Sequence, residues 1–298
     1  MVRGRYAPSP TGELHLGNLR TAVLAWLFAH AAGGQLLYRV EDLDASRVRP
    51  GYAQVQRSDL ESLGLTFDPP LIVQSERSAA YAGTLDRLAE STFECFCTRR
   101  EIAEASSAPH RTPGRYPGTC RDLTDTERAE RRRNRSPALR LRAADRTVTI
   151  TDRLHGTVSG QPDDIVLRRN DGVAAYNLAV VVDDADSAVD QVVRGDDLLD
   201  SAISQAYLCE LLGHRPPTYA HVPLALNPAG RRLAKRDGAV TLSDLAAAGV
   251  GADQVLSRIA ASLRLAAPDE RLDLATLLQR FDPDQLPRTP WVLGDDVA

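Results

Sequence analysis

Apolar residues return at helical spacing in the front third of the chain and are framed by short β-prone runs. Residues 2–6 are β-prone, and a turn with two prolines and a glycine leads into a segment whose apolar positions include Leu19, Val23, Leu24, Trp26, Leu27 and Phe28. This predicts a strand passed to an amphipathic helix, with Gly33-Gly34 as its stop. Residues 35–40 read as a buried parallel strand. A helix over about 51–63, the strand Leu71-Ile72-Val73 and a helix over about 79–92 complete a βαβαβ-like half.

The rhythm then changes. Residues 93–120 are rich in Pro, Arg and Ser, and residues 137–169 alternate apolar and polar, with turns at Ala144-Asp145 and Gly160-Gln161-Pro162. They predict antiparallel strands inserted between two halves of a parallel sheet. Residues 165–172 open the second half. Residues 176–184 read as an amphipathic turn, residues 192–199 close a strand, and a helix over 201–212 follows. After Thr241 come helices over 242–248, 252–264 and 274–281, punctuated by Pro268, Pro283 and Pro287. The expected class is α/β, with a Rossmann-like half at 1–92, an insert at 93–163, a second half at 164–225 and a late loop with a helical region at 226–298.

Composition adds few exclusions. At 298 residues with 43% hydrophobic and 26% charged side chains, the chain can bury a full core. No apolar run reaches the roughly 18 residues that span a bilayer, and the first ten residues lack a signal-peptide core, so a cytoplasmic protein without a membrane partner is expected. No obligate protein partner is evident. The net charge of −4 does not advertise a nucleic-acid binder, yet residues 127–146, Arg99-Arg100 and Arg231-Arg232 cluster arginine where phosphates could be met locally. Lys235 is the only lysine among 36 basic residues. A compact, mobile ammonium suits a phosphate in motion better than a planar guanidinium does.

Three places carry candidate chemistry. At the first strand-to-helix junction, unpaired helical N–H groups and the macrodipole favour an anion, Gly17 permits close approach, and His15 can meet the ligand. Glu41-Asp42-Leu43-Asp44 follows a strand at its carboxyl end, where open α/β sheets bind ligands. Cys95, Cys97 and Cys120 are three of the four cysteines; clustered in a cytoplasmic chain, they argue for a metal over a disulfide. Tetrahedral zinc needs a fourth donor, and by ordinary chemistry His110 is the first candidate. Cys209 reads as core.

The run from Ala7 to Asn18, APSPTGELHLGN, resembles the HIGH-type signature of class I aminoacyl-tRNA synthetases in its glutamyl form. Residues 39–44 resemble the family's R-x-E-D-x-D segment, and residues 176–184 its Y-x-L-A-V-V-x-D-D run. Residues 230–238 resemble the second signature, KMSKS, in the form K-L-S-K-R, with Arg232 in place of the first lysine and Ala234 in place of the serine. Loss of that hydroxyl is expected to slow turnover. The resemblance covers roughly residues 1–245 and implies a Rossmann-like catalytic domain, an acceptor-stem subdomain and ATP-dependent activation of an amino acid.

By the same resemblance, His15, Gly17, Asn18 and Lys235 bind ATP, with His15 and Lys235 catalytic. Arg5, Tyr6, Ala7, Pro8, Ser9, Glu41, Tyr176 and Arg194 bind glutamate, with Glu41 meeting its ammonium. Mg²⁺ is expected with ATP. In the glutamyl-Q subgroup the metal pattern is Cys-x-Cys followed by Tyr-x-x-x-Cys, which implies a structural Zn²⁺ on Cys95, Cys97, Tyr116 and Cys120. Only 62 residues follow Arg236, too few for the helical anticodon-binding domains of a full glutamyl-tRNA synthetase. The resemblance therefore points to the glutamyl-Q subgroup, which activates glutamate without tRNA and attaches it to the queuosine base of tRNA(Asp). Two other readings are a truncated glutamyl-tRNA synthetase charging the 3′ end of tRNA(Glu), and an inactive paralogue that binds tRNA or glutamate.

Overall fold

In the computed structural model, residues 1–106, 115–233 and 240–294 are described. The first half runs β1 (Arg3–Tyr6), α1 (Leu16–Ala31), β2 (Gln35–Val40), α2 (Tyr52–Ser62), β3 (Asp68–Val73) and α3 (Ser78–Arg87). Next come β4 (Thr92–Cys95), α4 (Arg99–Ser106), α5 (Asp125–Arg132), β5 (Ala138–Leu141), β6 (Val148–Asp152), β7 (Gly156–Gly160) and β8 (Val166–Arg168). The remainder is α6 (Tyr176–Asp186), β9 (Gln191–Gly195), α7 (Leu199–Leu211), β10 (Thr218–Val222), β11 (Ala225–Leu226), α8 (Leu242–Ala247), α9 (Ala252–Ser262), α10 (Leu274–Arg280) and β12 (Trp291–Val292).

β1, β2 and β3 form a parallel sheet, and helical crossovers link each strand to the next, as parallel neighbours require. β9, β10 and β6 form a second parallel set, with β7 antiparallel on its edge. The sets meet where the Asp190 amide donates to the Arg3 carbonyl at 3.0 Å and the Arg3 amide to the Asp190 carboxylate at 2.8 Å. The helix–glycine–strand return from α1 to β2 is tight: a Cβ on Gly34 would lie 2.3 Å from the Val2 carbonyl oxygen.

Several elements differ from the sequence reading. The region 137–169 is not one antiparallel insert. β4, β5 and β8 pair as a separate antiparallel sheet, but the β6–β7 hairpin joins the catalytic sheet, with Asp152 beside Tyr219. The buried Val148, Ile150 and Asp152 of β6 alternate with exposed threonines, a pattern that fits either sheet. α3 stops at Arg87, because Thr92 to Cys95 are drawn into pairing with β5. Residues 176–184 form a complete helix, α6, buried from Leu178 to Asp184.

α1 is not amphipathic but buried on nearly every side. Its Leu19, Ala22 and Leu27 are fully covered, and the buried Arg20 donates to the Pro223 carbonyl at 2.7 Å and to Ser262 Oγ at 3.1 Å. One core surrounds α1 and takes in Leu245, Ile259 and Leu277 of α8, α9 and α10. A second gathers α6 and α7 against β6, β9 and β10. Among the described residues, no helix is long and apolar enough to cross a membrane.

Candidate active site

A cleft of about 1090 Å³ opens at the carboxyl ends of β1, β2 and β9. Its lining contains Arg5, Tyr6, Ala7, Pro8, Ser9, His15, Gly17, Asn18, Glu41, Tyr176 and Arg194. Every residue assigned to glutamate or ATP by the sequence reading is thus brought to one cavity, except Lys235. That residue, with Ala234 and the alternative metal donor His110, lies outside the described residues.

His15 is the N-cap of α1. Its Nδ1 accepts from the Gly17 and Asn18 amides at 3.1 and 3.3 Å, and the His15 amide donates in turn to Asn18 Oδ1 at 3.4 Å. The imidazole does what Ser or Asp does at an ordinary cap. An accepting Nδ1 places the proton on Nε2, leaving that N–H as a donor for a ligand. Burial, assisted by the nearby Arg232 guanidinium, lowers the His15 pKa to about 4, so the ring is neutral at physiological pH. Gly17 sits tightly beneath it, since a Cβ there would lie 3.0 Å from the ring.

The turn before α1 is fixed by Gln56 on α2, whose amide donates to the Ser9 and Gly12 carbonyls at 3.1 and 2.6 Å. The Pro8 carbonyl accepts from the Glu41 amide at 3.1 Å, and the Tyr6 hydroxyl donates to the Asn18 carbonyl at 3.1 Å. Tyr6 therefore braces the helix start with its polar end.

The acids after β2 separate in role. Asp42 is taken by the Ser75 amide and hydroxyl, and Asp44 by Ser46, whereas Glu41 remains at the cleft with Arg39 at 3.1 Å. Burial pushes the Glu41 carboxyl up, against the pull of Arg39 and Arg5.

Behind these residues lies a buried ion network that the sequence reading did not assign. Asp184 holds Arg39 and lies 3.4 Å from Arg5 Nε; Asp183 accepts from Gln74 at 2.8 Å, Arg77 at 2.6 Å and Tyr81 at 3.0 Å. The paired Asp-Asp at the end of residues 176–184 was its one visible trace. Arg194 Nη1 donates to Gln205 Oε1 at 2.8 Å, and Gln205 to Asn177 at 2.9 Å. Also lining the cleft, Arg232 pairs with Asp197 at 2.5 Å.

The cysteine cluster is also assembled. The sulfurs of Cys95, Cys97 and Cys120 all lie within 4.8 Å of one another, with Cys97 and Cys120 at 3.6 Å. The Tyr116 hydroxyl is 3.3 Å from Cys95 and 3.8 Å from Cys97. Donors about 2.3 Å from a tetrahedral zinc stand roughly 3.8 Å apart, so this set fits the ion. The Cys120 thiol, hydrogen-bonded to Cys95, holds the Cys95 pKa well below the ordinary thiol value. Arg140 lies 3.9 Å over the Tyr116 ring, and Arg131 lies 3.9 Å from the Cys120 sulfur, so positive charge is present for an anionic donor set. Much of the arginine-rich run is committed to internal pairs: Arg132 to Glu94, Arg135 to Glu101 and Arg142 to Asp122.

Residues 1–269 match the family described as tRNA synthetases class I (E and Q), catalytic domain. The chain is 59% identical to a glutamyl-Q tRNA(Asp) synthetase of Nocardia farcinica over 98% of its own length and 93% of the relative's. It is 50% identical to one of Cutibacterium acnes, over 95% and 85% of the two chains. A crystal structure of a glutamate tRNA ligase from Elizabethkingia meningosepticum in complex with its amino acid superimposes with a TM-score of 0.82 at 27% identity, covering 99% of this chain and 67% of that one. By fold, cleft and sequence together, the chain belongs to the glutamyl-Q tRNA(Asp) synthetases, within the class I family of glutamyl and glutaminyl tRNA synthetases.

Proposed function

We propose that the protein activates L-glutamate with ATP, without tRNA, and transfers it to the queuosine base of tRNA(Asp) in the cytoplasm. The observation that carries this reading is the meeting of two arginines, Glu41 and the His15 end of α1 in one cleft. A carboxylate is a weak nucleophile, so the chemistry depends on placing it in line with phosphorus and spreading the charge that develops there.

Arg5 and Arg194 take the carboxylates of glutamate, Glu41 its ammonium group, and Tyr176, 38% exposed, covers the amino acid from the start of α6. Ala7, Pro8 and Ser9 supply the wall opposite, and Tyr6 holds that wall to the helix. His15 Nε2–H and the N-terminal end of α1 at Gly17 and Asn18 receive the phosphates. Lys235 is assigned to the same phosphates. Its described flanks support this: Leu233 lines the cleft, and the Val240 carbonyl accepts from the Leu16 amide at 3.1 Å.

An oxygen of the substrate α-carboxylate attacks the α-phosphorus of ATP, the bond to the β-phosphate oxygen breaks, and pyrophosphate leaves. A queuosine hydroxyl then attacks the acyl carbon, loses its proton and expels AMP. Mg²⁺ accompanies ATP and neutralises phosphate charge. Cys95, Cys97, Tyr116 and Cys120 would hold a structural Zn²⁺; four protein donors close its shell, so it supplies folding and not chemistry.

Two arginines select for charge. A site built to pair a carboxylate rejects the amide strongly, whereas one methylene is worth only about 1–3 kcal/mol, so glutamine is refused more firmly than aspartate. The test is ATP–pyrophosphate exchange with glutamate and no RNA, followed by labelled glutamate with separated tRNAs. Exchange, with incorporation only into queuosine-containing tRNA(Asp), is expected. Label on the terminal adenosine of tRNA(Glu), detected by periodate protection, would mean a truncated glutamyl-tRNA synthetase instead, and no exchange at any glutamate concentration would mean a binding paralogue.

A further inference from the structure

Arg194 is 5% exposed, and three of its five side-chain N–H groups are already taken. Nε donates to His221 Nε2 at 3.0 Å, Nη1 to Gln205 at 2.8 Å and Nη2 to the Leu198 carbonyl at 3.3 Å. One N–H on each terminal nitrogen is left for the cleft, the number a carboxylate accepts from an arginine fork.

A guanidinium cannot accept, so His221 Nε2 must present its lone pair and Nδ1 must carry the proton. That proton is donated to Asp152 Oδ2 at 2.6 Å. Asp152 is itself immobilised: Oδ1 accepts from the Leu154 and His155 amides at 2.8 and 2.9 Å, and Oδ2 also accepts from the His221 amide at 3.1 Å. His221 is fully buried and Asp152 2% exposed. Burial works against the Asp152 charge, but these donors outweigh it and hold the carboxyl at about 2. Burial and the adjacent Arg194 lower the His221 pKa against the pull of Asp152, which keeps the ring neutral and its lone pair available.

A tie between β6 and β10 alone would not need this polarity. Asp152 dictates one tautomer, and that tautomer is the one Arg194 requires. The geometry points to Asp152 and His221 as positioning residues for amino-acid recognition: the carboxylate fixes the imidazole, and the imidazole fixes the guanidinium with its two remaining N–H groups toward the substrate carboxylate. The inference rests on the reading that Arg194 binds a carboxylate of glutamate.

The experiment is RNA-free ATP–pyrophosphate exchange with the full chain, measuring KM for glutamate and for ATP separately. Losing a hydrogen bond to a charged group predicts that His221→Leu raises KM for glutamate roughly 10- to 100-fold, with kcat and KM for ATP changed less than about threefold. His221→Gln, whose side-chain oxygen can accept from Arg194, should return KM to within about fivefold of wild type. If His221→Leu does not fold, Asp152→Asn serves: an amide N–H toward Nδ1 favours the wrong tautomer, so KM for glutamate should rise in wild type and rise less in the His221→Gln background. An unchanged KM for glutamate, an equal rise in KM for ATP, or failure of glutamine to rescue would overturn the proposal. Wild-type protein that exchanges no pyrophosphate with glutamate would refute the functional reading itself, a result distinct from any of these.

Discussion

Behind the cleft, Arg5, Arg39 and Arg194 are held by partners from α6, α7 and β10, and two large cores close around them. Around Cys95, Cys97 and Cys120 the buried side chains of the local core are, among the described residues, Phe93, Cys95, Phe96, Tyr116 and Cys120, with Ile102 and Leu123 partly buried against them. The cleft can be rigid before any ligand arrives, since its arginines are anchored by buried partners while part of their hydrogen-bonding capacity stays open to the cavity. The cysteine cluster and its flanking residues, the knuckle, have few apolar contacts among the described residues, and the sulfurs face each other at distances that suit an ion between them. Preorganisation in the first region comes from tertiary packing; in the second, three sulfurs are placed where a metal could supply it.

Metal removal should separate the two regions most sharply. Structural zinc binds zinc-finger peptides with apparent free energies of about 10–16 kcal/mol, at least as much as a cluster of a few buried side chains contributes. Chelation, or Cys120→Ser, is therefore expected to unfold the knuckle and reduce transfer to tRNA at least about 100-fold. Glutamate-dependent pyrophosphate exchange should fall by less than about threefold. Metal content and both activities, measured on the same preparation, check this; equal loss of the two activities would erase the distinction.

On the cleft side, the largest effect is expected at Asp183. It is fully buried and accepts from Gln74, Arg77 and Tyr81, so Asp183→Asn leaves buried donors and cations without their anion. Breaking such a network costs about 3–5 kcal/mol, to be read as a lower urea midpoint with an unchanged slope. The same loss spread over the knuckle, with metal retained, is not expected.

The His15 cap gives a smaller effect with a defined sign. Its pKa falls to about 4 in the folded protein from an ordinary 6.5, so between those values the unfolded chain binds more protons and stability rises with pH. Acidification from pH 6.5 to 4 should cost at most roughly 3 kcal/mol through this group. His15→Asn keeps a capping oxygen and should flatten that dependence while abolishing exchange activity. A steep dependence that survives in His15→Asn would place the titrating group elsewhere.

How much of this was visible in the sequence follows from chain separation. The residues on the cleft surface sit in short contiguous runs that carry the family resemblance, so Arg5 to Ser9, His15, Gly17, Asn18, Glu41, Tyr176 and Arg194 could be singled out before any fold was known, and they do line one cavity. The cysteine set was legible from its clustering and Tyr116 only from the resemblance, and the structure brings the phenol to the three sulfurs. What escaped was the layer beneath. Asp152 meets His221 only because β6 lies beside β10, and the alternation of β6 reads equally well as part of an insert. Asp183 and Asp184 looked like the polar end of a turn, because nothing local announces that Arg39 and Arg77 approach from other elements. Long-range polar pairing has no periodicity to betray it.

The smallest predicted effect tests whether the cleft is as rigid as its supports imply. Gly17 lies in the first turn of α1 with ordinary helical freedom, so Gly17→Ala gains helix propensity worth up to about 1 kcal/mol. Against this, the new methyl would stand 3.0 Å from His15 Cε1, 3.1 Å from Nδ1 and 3.2 Å from the Ala225 Cβ. Ala225 is buried on the short strand β11 and cannot retreat, so the imidazole must, and its bond from the Gly17 amide lengthens. Stability should then change by less than about 1 kcal/mol, because the two terms oppose. Displacing Nε2–H by a few tenths of an ångström should nevertheless lower kcat for exchange roughly tenfold, with KM for glutamate unchanged, since Arg5 and Arg194 lie on other strands. Parallel melting curves and exchange kinetics decide the matter. A variant with full kcat would show that the ring tolerates movement and that the tight contact serves packing alone.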